Sequence, residues 1–359
     1  MPSISTNRLR AVRDRDAAWV RRPAIGLASA AMFTAIMAAG LTGCSGLPEP
    51  APVTGPAIMG TSVPSGAEAA QIAMANTARD SGDYETALDI FQTILAENPT
   101  VTSAYIGIGE IHLENDEPEL AEPAFRRATR LEPRNFGAQY GHGLALQLLG
   151  RLREAVLAYQ RALTINPDDF QANLDIAIAY LDLGRDDRAR TFAERAVDID
   201  PASGPARVNL GAICARQNDT GQAIEHYIAA LEIMGNEPRL MANLVYALSD
   251  ENRYREAVNT ARQLVRIEPA ADIYERLGWC HFKLREYDES LDAYQRGLDL
   301  DPDHWPSLNG VGVNALNAWL LSDGDDERMR YTAGEAFRQS IRLNPQQQQV
   351  INLLIEYRL

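Results

Sequence analysis

Six alanines, Ala87, Ala121, Ala155, Ala189, Ala223 and Ala257, recur at 34-residue intervals without a slip. A second series runs beside them at the same interval: Pro99, Pro133, Pro167 and Pro201, then Gly235 where a proline is missed, then Pro269. A period of 34 predicts a stack of helical hairpins. Each hairpin is too small to bury its own apolar face, so neighbours must stack to make a continuous core.

The first 44 residues carry a separate signal. Arg8, Arg10, Arg13, Arg15, Arg21 and Arg22 precede an uncharged, largely apolar run from Ala24 to Gly40, followed by Leu41-Thr42-Gly43-Cys44. A basic stretch, an apolar stretch and small residues before a cleavage point predict a secretory signal over 1–43. An uncleaved anchor is the alternative, since the apolar run is slightly short of the roughly 20 residues that span a bilayer. The arginine asymmetry orients the chain outward in both cases. The Leu-Thr-Gly-Cys ending resembles the lipobox of bacterial lipoproteins. That resemblance implies a diacylglycerol on Cys44, with the chain lipid-anchored in a bacterial cell envelope and facing the periplasm. Ser45, not Asp, follows the cysteine, which by the same analogy points to the outer membrane over the inner one. Residues 44–66 then read as a tether. Pro48, Pro50, Pro52, Pro56 and Pro64 lie among Gly, Ser and Thr, and proline at that density does not propagate a helix.

Charge narrows the partners. The formal net charge is -15. Residues 1–43 hold six arginines against Asp14 and Asp16, so the remainder sits near -19. Such a surface repels phosphate backbones and excludes nucleic acid as a partner. Cys214 and Cys280 lie 66 residues apart, about two repeats, too far for a bridge in a stack of hairpins. They are expected in the core, unpaired.

Within the repeats, residues 102–135 carry Tyr105, Ile108, Gly109 and His112, then Ala121, Phe125, Ala128 and Pro133. The frame returns as Gly143, Ala155, Tyr159, Ala162 and Pro167, as Leu210, Gly211, Ala223, Tyr227 and Ala230, and as Leu277, Gly278, Tyr294 and Pro302. This pattern resembles the tetratricopeptide repeat. Small residues at Gly109 and Ala121 would let paired helices approach, while Tyr105 and Phe125 would plug the spaces between hairpins. Pro133, lacking an N–H, would stop the second helix. The resemblance implies an all-α, right-handed α-solenoid of about eight hairpins over 67–347. The repeats fall near 68–101, 102–135, 136–169, 170–203, 204–237, 238–271, 271–303 and 304–347. A capping helix is expected over 348–359. The interval from Pro302 to Pro345 is 43, and the surplus is expected in an acidic turn around Ser322–Asp326.

In such a frame the fifth position of each first helix, and the residue four further on, face a concave groove. The candidate partner-binding residues are Ile106, Tyr140, Leu144, Leu174, Ile178, Val208, Tyr246 and Trp279, with Glu110, Glu114, Asp182 and Asp250 as acidic rims. A groove lined this way suits an apolar or amphipathic helix, or an extended peptide with large side chains; the alternative is that some of these side chains only pack. Tyr140→Asp together with Leu174→Asp is then expected to abolish partner capture without loss of helicity. Enzyme motifs are absent. Gly107-Ile108-Gly109 and Gly141-His142-Gly143 fall inside helices without a preceding strand, so they fail the test for a dinucleotide site. His112 is expected in the core, and no metal or cofactor site is read.

The expectation is therefore a membrane-tethered interaction scaffold and not an enzyme, its partner a protein or peptide. In its order of lipobox, linker and repeats it is similar to tetratricopeptide lipoproteins of tight-adherence pilus systems and to pilotins. An adaptor that regulates cell-wall hydrolases, and a self-associating structural envelope protein, are the alternatives.

Overall fold

The computed structural model describes residues 64–359, so Cys44, the signal and all but the end of the tether lie outside the described residues. The described chain holds seventeen α-helices and no strand. The described residues divide into two compact units, one ending at Pro201 and the other running over Ala202–Leu359.

In the first unit four hairpins follow one another. They are α1 (Gly66–Ser81) with α2 (Tyr84–Glu97), α3 (Thr102–Glu114) with α4 (Pro118–Leu131), α5 (Phe136–Leu148) with α6 (Leu152–Ile165), and α7 (Phe170–Asp182) with α8 (Asp186–Ile199). The second unit repeats the plan. It has α9 (Gly204–Arg216) with α10 (Thr220–Met234), α11 (Pro238–Asp250) with α12 (Tyr254–Ile267), α13 (Ala271–Lys283) with α14 (Tyr287–Leu300), and α15 (Trp305–Leu321) with α16 (Glu327–Leu343). The chain ends on α17 (Gln348–Glu356). Within each unit a second helix packs on its own first helix and on the first helix of the next hairpin, the tandem arrangement of a tetratricopeptide solenoid.

Backbone chemistry sets the helix ends. Between paired helices the chain reverses through one residue at positive φ: Gly82, Asp116, Gly150 and Gly184, then Asn218, Asn252 and Arg285. At most of these turns an amide reaches back five residues to a carbonyl, as Arg151 N–H does to Leu146 at 2.9 Å and Arg185 N–H to Tyr180 at 2.9 Å. That is the closure a left-handed helix terminus makes. Most second helices stop two residues before a proline, as α4 does at Leu131 with Glu132 and Pro133 following. Where proline is missed, Gly235 ends α10 at φ 77°.

The periodic alanines all have zero exposure, which is why nothing larger fits. At the next rung stands Ser290, also fully buried, whose hydroxyl donates to the Gly278 carbonyl at 2.8 Å. Aromatic rings from the second helices fill slots left by glycines. A Cβ on Gly109 or Gly141 would come within 2.6 or 2.2 Å of the Phe125 ring, so that ring lies between two missing side chains. Tyr294 lies the same way between Gly278 and Gly310, and Phe337 rests on Gly312. Burying one such ring contributes roughly 1.5–3 kcal/mol. Tyr105 does not plug such a space. It is half-buried, and its hydroxyl lies 3.4 Å from the Pro99 carbonyl. Gln139 and Asn173, at the same position of their repeats, donate to the carbonyls of Pro133 at 3.0 Å and Pro167 at 2.9 Å.

The surplus of the last hairpin is not confined to its turn. Helices α15 and α16 have 17 residues each, against 13 and 14 in the hairpin before, and the turn at 322–326 is only two residues longer than the usual three. Each helix has simply gained about one turn. Onto this hairpin α17 lays Val350, Leu353 and Leu354 against Leu316, Ala333 and Phe337. Gln347 pins its start, donating to Ser340 and Asn344 and accepting from Asn309 at 2.6 Å. Cys214 and Cys280 are buried and unbridged, and burial pushes the Cys280 thiol up to about 12.

Candidate peptide-binding surface

First helices carry the fifth-position residues, and their environment differs between the two units. In the first, Ile106 and Leu144 are half-buried and pack on Leu113, Phe125 and Ala145. Tyr140 keeps only 8% of its surface and Leu174 only 7%. The Tyr140 ring stacks on Phe136, with centroids 5.8 Å apart, and its hydroxyl donates to Asp175 Oδ2 at 2.6 Å. Asp175 is itself buried and also accepts from Gln171 at 3.0 Å. An aspartate at Tyr140 would face that carboxylate inside the core. Tyr140→Asp with Leu174→Asp therefore tests folding, not capture, and the test belongs on the half-buried Leu144 and Ile178.

Glu110, expected as an acidic rim, is instead enclosed and ion-paired with Arg79 of α1. Burial pushes its carboxyl up and the Arg79 charge opposes the shift. A comparable cluster holds α4 to α5. Glu122, nearly buried, lies 3.4 Å from His142 Nε2, 3.3 Å from Arg151 and 3.8 Å from Arg126. Burial lowers the His142 pKa, partly offset by Glu122. Reading the sequence does not reveal this cluster, because Glu122 and His142 are twenty residues apart and only the packing of α4 on α5 joins them. His112 is not a bare core side chain either. It is part-buried with Nδ1 2.7 Å from Glu117, and His281 repeats the arrangement with Glu286 at 2.7 Å. Among the described residues no group of three or more histidine, cysteine or acidic side chains is placed to hold a metal.

In the second unit the row is more open and more polar. Val208, Tyr246 and Trp279 are half-buried. The Arg276 guanidinium lies 4.7 Å from the Tyr246 ring centroid, and the Tyr246 hydroxyl lies 3.3 Å from Asp272. Asp250, expected as a rim, sits 3.5 Å from Arg276. Trp279 stacks on Phe282 at 6.3 Å, and Lys283, the chain's single lysine, holds its ammonium 5.1 Å above the indole. The fifth position of α13 is Glu275 and that of α15 is Asn309, where the earlier helices from α3 to α11 carry apolar or aromatic residues.

Comparison with known proteins places these hairpins. Tetratricopeptide-repeat models match residues 72–136, 112–170, 146–214 and 271–304. The chain is 36% identical over 121 residues to small glutamine-rich tetratricopeptide repeat-containing protein 2 of Mycosarcoma maydis, covering 33% of this chain and 34% of that protein. It is 26% identical over 141 residues to Hsp70-Hsp90 organizing protein 2 of Arabidopsis thaliana, covering 37% of this chain and 25% of that one. The chain thus spans about a third or less of these relatives. The solved structure of Pseudomonas aeruginosa pilF aligns at 18% identity and a TM-score of 0.49, over 56% of this chain and 91% of that one. The chain carries tetratricopeptide repeats, and its architecture is that of a protein–protein interaction scaffold.

Proposed function

We propose that this protein is a membrane-tethered scaffold on the extracytoplasmic side of a bacterial envelope, where its first-helix faces hold a protein partner during assembly of a pilus or secretion complex. One observation carries the binding half. Two sets of half-buried side chains, Ile106, Leu144 and Ile178 in the first unit and Val208, Tyr246 and Trp279 in the second, each leave apolar or aromatic surface open on the first helices of that unit. Surface of that kind at regular spacing suits an extended or helical peptide. The tethering half rests on Leu41-Thr42-Gly43-Cys44 after an arginine-rich and then apolar start. The acidic charge disfavours direct adsorption to anionic headgroups, so attachment falls to the lipid on Cys44.

Both halves are tested in one strain set. Cys44→Ser should move the protein from the membrane fraction to the soluble fraction. Leu144→Asp with Ile178→Asp should abolish recovery of crosslinked partners while the circular dichroism spectrum stays that of the parent. Membrane retention of the serine variant refutes the tether. Undiminished crosslinking in the double variant refutes the binding face.

A further inference from the structure

Arg161 lacks the partner that its counterpart one hairpin later has. There Arg195 of α8 donates from Nη2 to Asp168 Oδ1 at 2.8 Å, and Asp168 directly follows Pro167. The same two positions of the preceding hairpin hold Arg161 of α6 and Arg134, which directly follows Pro133. A second cation thus stands where the acid would be. Both arginines are exposed, and among the described residues neither forms an ion pair or a side-chain hydrogen bond. Arg130, near the end of α4, is exposed and unpaired as well. Glu132, the acid nearest Arg134 in sequence, accepts from Asn135 at 2.9 Å instead. Acids are not scarce in this unit: residues 64–201 hold 23 of them against 12 arginines, a net of -11. Like charges brought toward one another repel, and at an exposed site packing returns nothing for them.

The surroundings define what fits between them. Leu157 and Ile165 stand four residues before and after Arg161, on the same side of α6, and keep 43% and 37% of their surface open. Successive members of this stripe are about 6 Å apart along the helix. Alternate side chains of an extended peptide lie about 6.6 Å apart on one face, nearly the same interval. We propose that this side of α6, together with Arg134, is a second docking surface, which takes an extended partner peptide of the pattern apolar-x-acid-x-apolar. The two apolar side chains rest on Leu157 and Ile165, and the carboxylate enters between the guanidinium forks of Arg161 and Arg134. Charges are screened beyond roughly 8 Å at physiological ionic strength, so a short acidic segment meets the arginines and not the acids around them. A long polyanion or an anionic membrane would overlie those acids too. The surface lies on a second helix and does not depend on the first-helix row.

An array of Leu-Ser-x-Ser-Leu peptides, with every residue type at the centre, is probed with the full chain, and the best binder is titrated by fluorescence anisotropy. The wild type should select Asp or Glu at the centre. Arg161→Gln should weaken that peptide about fivefold, and Arg161→Gln with Arg134→Gln about tenfold or more. Arg134→Asp rebuilds the pair that Asp168 makes with Arg195, so it should melt at or above the parent while binding is lost. Arg239→Gln with Arg266→Gln, which removes two exposed cations of the second unit, should leave binding unchanged, as should Leu144→Asp with Ile178→Asp. Selection of neutral or basic centres, an acidic preference that survives Arg134→Asp, or loss of binding in the Leu144 and Ile178 variant overturns the proposal. So does binding of phosphatidylglycerol vesicles in place of the peptides, if Arg134→Asp abolishes it, since the patch would then be a headgroup site.

Discussion

The glycine slots yield the sharpest perturbation. Gly137 and Gly141 sit one turn apart on α5, and the same change at each should have opposite signs. At Gly141 a methyl would meet Phe125 at 2.2, 2.5 and 2.6 Å, more than 1 Å inside ordinary contact. The ring has nowhere to retreat, because a Cβ on Gly109 would meet its other side at 2.6 Å and only 1% of the residue is exposed. Overpacking of this kind costs about 1–3 kcal/mol, and alanine returns about 1 kcal/mol of helix propensity, which leaves Gly141→Ala destabilised by up to about 2 kcal/mol. At Gly137 the new methyl would find Asn135 at 3.5 Å and Ile106 at 4.0 Å, both ordinary contacts. Gly137→Ala should therefore stabilise by up to about 1 kcal/mol. Thermal melts by circular dichroism read the sign, and amide exchange on α3–α5 localises it. Each kcal/mol should move the midpoint by about 2–4 °C in a domain of this size. Phe125→Leu should be costly alone yet partly rescue Gly141→Ala, since it shortens the group the methyl strikes. Two alanine variants shifted in the same direction would refute the account of the slot.

Two further outcomes follow from the buried charges. Arg79→Ala strands the Glu110 carboxyl in a desolvated site and should cost about 3 kcal/mol. A carboxyl whose folded pKa is raised supports folding only while protonated, so the loss should deepen as pH rises above 4.5. Glu110→Gln on that background should recover most of it, and equal melting of parent and Arg79→Ala would sink the idea. For His142, whose pKa is lowered by burial, the folded state prefers the neutral ring. Its contribution is present above 6.5 and is lost as pH falls below that value. His142→Gln should therefore flatten the acid side of a melting-temperature profile taken from about pH 7.5 to about pH 5. An unchanged slope would show that the titrating group lies elsewhere.

Much of the fold was legible because the repeat imposes local chemistry. Alanine at six successive rungs, glycine opposite Phe125, Tyr159, Tyr227 and Tyr294, and proline after most second helices act within one hairpin or between neighbours in sequence. Three readings needed the assembled molecule. Tyr105 occupies an aromatic position and yet reaches for the Pro99 carbonyl, because the fourth residue of a first helix stands beside the end of the preceding hairpin. Tyr140 and Leu174 fit the expected groove frame and are nonetheless buried, since Phe136, Tyr159 and Asp175 close over Tyr140. The nine-residue surplus of the last hairpin looked like a loop because acids cluster at Ser322–Asp326, while helix continuation on both sides absorbed most of it.

By itself the sequence determined an all-helical run of hairpins, their length, their stops and the small residues at their crossings. Those follow from steric limits that act over a few residues and repeat every 34. Only the tertiary structure decided which side chains of the first-helix row remain open and which acids are neutralised by a cation from another helix. Burial and partnering depend on neighbours that the chain brings together from tens of residues away, and no period in the sequence encodes them.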